Sequence, residues 1–241
     1  MKLFTTIRLL LFATVLQSCK TDNVYFSCDP KIDQWVKNNY ESINIMTSDE
    51  WNSIGEIARQ RAIYNAFSPL QRQNLWIEKF KRALPFFANE DEKSHLKSLL
   101  FAIEDNLQWF EDNNNDSQRN SFDLFFYKWN DYAKNTLNWN SNTLYALIGT
   151  PENISHAALN DYTVNSLQNV RLSKTRSEDG YGNVCDCGDN SQYYFTCPGV
   201  DGFTCEIEYN NPCRQTQHGC GSLWRDACWG KCKEPKITSV V

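Results

Sequence analysis

With 241 residues, of which 41% are hydrophobic and 14% aromatic, the chain can bury one sizeable core and add one small domain, which excludes a compositionally disordered protein. Its formal net charge of −5 offers no basic footprint for nucleic acid, so that partner class is set aside. No run of about 20 apolar residues follows the opening segment, and no transmembrane helix is expected in the mature protein.

Residues 1–19 read as an export signal. Lys2 and Arg8 supply a positive start, and Leu9 to Leu16 an apolar stretch too short to cross a bilayer. The ending Leu16-Gln17-Ser18-Cys19 resembles a bacterial lipobox, in which the cysteine is lipidated and becomes the first residue. The other reading is ordinary signal cleavage with Cys19 as a spare thiol. Lys20-Thr21-Asp22-Asn23 follows as a polar tether. Cys28 is the odd cysteine against the eight of the tail, a free thiol or one bonded outside the tail framework; nothing in the sequence places His95, His156 or His218 beside it as a base, so it reads as structural or inert.

Residues 20–150 form an all-α domain of four to six helices, running from Lys31 to about Leu147. Thr47 or Ser48, with Glu50 or Trp51 downstream, is a helix start, and Trp51, Ile54, Ala58 and Ala62 fall on one helical face. Ser68-Pro69-x-Gln71 is a cleaner start, leading into the face Leu75, Trp76, Lys79, Phe80, Ala83 and Phe87. Asn89-Glu90-Asp91-Glu92 puts acid in the first turn of a helix whose face is Leu96, Leu99, Leu100, Ile103, Leu107 and Phe110. After a polar loop at Asp112 to Asp116, a last long helix carries Phe122, Phe125, Phe126, Trp129, Tyr132, Ala133 and Leu137. The aromatic spacing is that of core faces, and the chain holds no phosphate loop, His-Glu-x2-His, Gly-x-Ser-x-Gly or paired-carboxylate motif. No catalytic residue, cofactor or resident metal is therefore assigned, and an enzyme is not expected.

Residues 151–183 read as a linker. Periodicity fades there, and Ser173 to Gly180, with Lys174 and Arg176, is polar and open to proteases.

Residues 184–241 form a small disulfide-rich module. Cys185, Cys187, Cys197, Cys205, Cys213, Cys220, Cys228 and Cys232 lie within 48 residues, and eight of the ten glycines fall between Gly180 and Gly230. So short a segment lacks the apolar surface to fold by burial alone, and cross-links are the usual substitute. Eight cysteines allow 105 pairings, among which sequence does not choose. The competing reading is zinc, with His218 beside the thiolates, but the spacings are not those of structural zinc sites.

The order Cys-x-Cys, two isolated cysteines, then a fifth followed by Thr216, Gly219-Cys220-Gly221, Trp224, Cys228, Gly230 and Cys232 resembles the bacterial family of bacteriocin fulvocin C-related proteins. The specific part is T-x2-GCG-x2-W-x3-C-x-G-x-C, from Thr216 to Cys232. Cys28-Asp29-Pro30, Trp35-Val36-Lys37 and the helical region after them resemble the precursor-like members. The resemblance implies an antibacterial peptide domain, starting near Gly182, at the C-terminus of a longer exported chain.

From Val184 onward five basic and seven acidic residues leave the tail net acidic, so any killing is expected to run through a receptor or exposed rings rather than charge attraction to anionic membranes. Trp224 and Trp229 are the candidate partner or membrane contacts, Trp224 with the equal alternative of a core ring. The expected protein is an exported, lipid-anchored one at the bacterial outer membrane or cell surface, with a tail that kills through an unidentified target-cell partner. The alternative is a non-toxic surface or periplasmic lipoprotein whose stapled tail binds a partner.

Overall fold

The computed structural model describes residues 24–112, 116–154, 204–206, 216–228 and 231–233. The signal segment with Cys19, the linker beyond 154, Cys185, Cys187, Cys197, Cys213 and Trp229 lie outside them.

The described part is mainly helical: α1 (Pro30–Asn38), α2 (Tyr40–Ile43), α3 (Ser48–Asn52), α4 (Ile57–Ala66), α5 (Pro69–Ala83), α6 (Glu90–Asp105), α7 (Asp116–Asn135) and α8 (Ser141–Leu144). Five of these, α1, α4, α5, α6 and α7, have nine residues or more. Tighter 3-10 turns occupy Leu84–Phe86 and Leu107–Phe110, and a π turn occupies Tyr145–Gly149. A two-stranded antiparallel ladder pairs β1 (Thr204–Glu206) with β2 (Lys231–Lys233), setting Cys205 opposite Cys232.

The helix starts follow the sequence. Asp29 caps α1 by accepting from the amides of Lys31 and Ile32, and Pro30 sits in the first turn, where its missing N–H is not needed. Thr47 with Glu50, and Ser68 with Gln71, form reciprocal capping boxes that satisfy otherwise orphaned amides. Asn89 caps α6 above its acidic first turn.

The core gathers on α5, which packs on α6 and on the Leu107–Phe110 turn. Every residue of its expected face, Leu75 through Phe87, is buried. The same core takes in Leu96, Leu99, Leu100 and Ile103 of α6 and Phe122, Phe126 and Trp129 of α7.

Two expected faces are interrupted. The stripe from Trp51 to Ala62 is split between α3 and α4, because the Ser53 hydroxyl and amide turn back onto the Glu50 carbonyl and Gly55 follows at once. Leu107 is exposed because Asn106, at φ −127° and ψ 64°, ends α6 and restarts the chain as a 3-10 turn, losing the helical period.

Candidate functional site

The segment 216–228, which carries most of the family-like motif, is seated in the helical body. Leu223 and Trp224 belong to the same hydrophobic core as α1, α5 and α6. The sequence reads 184–241 as a small stapled module and leaves Trp224 open between a core ring and a contact ring; Leu223 and Trp224 share the core of the helices.

Local chemistry explains the motif. Cys220 and Cys228 are disulfide-bonded, and the loop between them is closed further by paired amide–carbonyl bonds between Cys220 and Asp226, 2.8 and 2.9 Å long. Gly221 is left-handed at φ 70°, and a Cβ there would lie 1.9 Å from Asp226 Oδ2, so only glycine fits. Leu223 and Trp224 also take positive φ, 55° and 52°. Residues with side chains hold that conformation only where surrounding contacts fix it.

Those contacts come from the helical body. The Trp224 indole donates its N–H to the carbonyl of Gly149 at 2.9 Å and stands edge-on to Tyr64 and Trp51, with ring centres 5.3 and 5.9 Å away. Tyr64 donates its hydroxyl to the Leu223 carbonyl at 2.9 Å and accepts from Trp76 Nε1 at 3.1 Å. Burial pushes the Tyr64 phenol well above its ordinary value, so it remains a neutral donor. The Asn65 amide reads the His218 backbone at both ends, donating to its carbonyl and accepting from its N–H, each at 2.9 Å. The Arg225 guanidinium lies 4.2 Å from the centre of the Phe122 ring on α7.

A charged cluster closes the other side. Buried Arg72 donates to the Phe110 carbonyl at 2.8 Å and to Asp112 Oδ1 at 2.6 Å through one nitrogen. His218 Nε2 lies 2.7 Å from the same Asp112 oxygen and 2.6 Å from that Arg72 nitrogen. With its hydrogen on Nε2, the His218 ring donates to the Asp112 carboxylate, which when ionised can only accept. The hydrogen bond from His218, helped by the Arg72 charge, holds the Asp112 carboxyl down at about 2. Burial, reinforced by Arg72, lowers His218 below its ordinary value despite the pull of Asp112.

No protein-family model, curated protein or solved structure matches the chain.

The structure sorts the sequence-derived site residues. Cys220 and Cys228 pair with each other, Cys205 and Cys232 face one another in the ladder, and Cys28 packs beside the Cys220–Cys228 bridge in a small buried cluster. Trp224, a candidate partner or membrane contact, is 1% exposed and is a core ring of the helical body, so it offers no outward surface here. Among the described residues no three His, Cys, Asp or Glu side chains are grouped to hold a metal ion. The residues that sequence reasoning missed are Tyr64, Asn65, Arg72 and Asp112, together with the role of His218. Their one signal was His218 itself, inside the motif with no histidine or carboxylate at ligand spacing.

The cluster makes docking acid-sensitive. His218 has a lowered folded value, so the stability tied to its neutral form is complete above its ordinary 6.5 and is lost as pH falls below that. The Asp112 contribution is complete above 3.8 and is lost as pH falls from there toward 2. His95, which burial pushes down to about 4, adds loss of the same sign. The thermal midpoint should therefore fall in steps on acidification. His218→Gln should shrink the step below pH 6.5 and leave the part that His95 contributes, and an unchanged profile in that variant would remove His218 from the account.

Proposed function

We propose that the chain is an exported, lipid-anchored bacterial protein that stores a bacteriocin-like tail in a docked, silent state. The observation that carries this reading is the placement of the family-like motif: its tryptophan, Trp224, and the backbone of His218 beside its GCG run are bonded inward, against α4 and the Tyr145–Gly149 turn. Trp224, one of the two candidate contact rings, is engaged within its own chain and is not presented to a target, so on this reading activity requires release. Lipidation at Cys19 holds the protein at the membrane surface, and Lys174 and Arg176 mark where a protease separates tail from body. The disulfides hold the freed tail in shape in an oxidising compartment.

A second reading has its own observation. Leu223 and Trp224 fill the core of the helical body, so the tail is also a structural part of it. On that reading the protein is a non-toxic surface lipoprotein, stapled shut, that binds a partner.

Growth of a panel of related strains separates the two. The oxidised module 182–232, presented free of the helical body, should inhibit growth, whereas the intact protein should not. Because the tail is net acidic, inhibition should change little with ionic strength. Reduced tail and Trp229→Ala tail serve as controls. Absence of inhibition by the freed tail across close relatives, with the tail binding a surface protein or glycan, would establish the second reading instead.

A further inference from the structure

We propose that the helical body is a peptide-binding site whose ligand is the disulfide-closed loop 216–228, retained after the intervening chain is cut and exchangeable with the loop of a second copy. The receiving groups are set by bonds that do not involve the tail. Trp76 Nε1 fixes the Tyr64 hydroxyl, Arg72 Nε donates to the Tyr64 carbonyl at 3.1 Å, and Arg72 is tied to the Phe110 carbonyl. These three bonds do not depend on the loop.

The loop is partly prepared: its disulfide, the Cys220–Asp226 pair and a 3.0 Å bond from the Gly219 amide to the Trp224 carbonyl close it from within, while the positive φ of Leu223 and Trp224 is fixed by the body. It presents a Trp and an Arg at the contact, residue types that anchor tight interfaces, with Trp224 at 1% exposure and the neighbouring His218 at 4%. The bonds described between loop and body use residues up to Gly149 on one side and from His218 on the other. On this proposal the covalent connection acts by raising the loop's effective concentration at the site.

This site rests on the docked state but not on killing. If the cut tail stays bound yet inhibits no strain when displaced, the proposed function fails and the binding site stands.

The test uses the whole oxidised protein with a specific protease sequence placed between Ser173 and Gly180. After cutting, the two fragments should co-elute in size-exclusion chromatography at micromolar concentration. When a cut sample is mixed with an isotope-labelled cut sample, native mass spectrometry should show light and heavy tails exchanging between bodies. Asn65→Ala, which removes both bonds to the His218 backbone, should speed that exchange about 10-fold or more. Tyr64→Phe gives an independent check should Asn65→Ala fail to fold, and should also speed exchange by removing the donor to Leu223. Separation of wild-type fragments at micromolar concentration overturns the proposal. So does retention that neither variant weakens, which would place the tail's grip outside this groove.

Discussion

Trp224→Ala should cost the whole protein about 3–5 kcal/mol of stability, the range for deleting a fully buried large aromatic side chain. The substitution lies in the tail, yet its cost falls on the helices, since the ring packs between Trp51 and Tyr64 and its indole N–H satisfies the Gly149 carbonyl. Trp224→Phe separates the two parts of that cost. It keeps most of the ring packing but leaves the Gly149 carbonyl without its indole donor, at about 1–3 kcal/mol. Urea denaturation followed by far-UV circular dichroism, which reads the helices, measures both. An Ala variant within about 0.5 kcal/mol of wild type, the scatter of an ordinary surface substitution, would mean that the tail does not share the helical core in solution.

The helical body was legible because its signals are local. A capping side chain and its N3 partner are three residues apart, a proline marks the first turn beside them, and an apolar face repeats within one helix; Ser68-Pro69-x-Gln71 followed by Leu75 to Phe87 contains all three. The split between α3 and α4 was visible in Gly55 but outweighed by the stripe around it. The tail motif was legible as specific, and its glycines as special, without a reason for either. That reason lies far away in the chain. His218 meets Asn65 across 153 positions and Leu223 meets Tyr64 across 159. No periodicity in a single sequence encodes a pairing at that separation, so Trp224 could be weighed as a core ring or a contact ring but not placed. Composition pointed the wrong way for the same reason, since a cysteine- and glycine-rich stretch reads as self-sufficient whether or not it later docks.

Lys79 shows the same limit inside a face that was read correctly. A lysine on an apolar helical stripe ordinarily extends its ammonium out to water. Lys79 is only 1% exposed, and its Nζ donates to the carbonyls of Ala146 and Leu147, at 2.6 and 2.7 Å, and to that of Thr150. The Trp76 ring centre lies 4.9 Å from the ammonium and adds cation–π attraction. These carbonyls close the Tyr145–Gly149 turn, where a helical end leaves acceptors unsatisfied and carries partial negative charge. Lys79→Met keeps the stem and removes the ammonium. Recovered desolvation of the charge offsets part of the loss, but three buried acceptors lose their shared donor, and the net cost is about 3 kcal/mol. The effect should reach the tail, because the turn that Lys79 holds also presents the Gly149 carbonyl to Trp224. A double-mutant cycle of Lys79→Met with Trp224→Phe should then show a coupling of about 0.5 kcal/mol or more. Additive losses would confine Lys79 to the helical body, and a Lys79→Met protein as stable as wild type would show that its ammonium reaches water instead of these carbonyls.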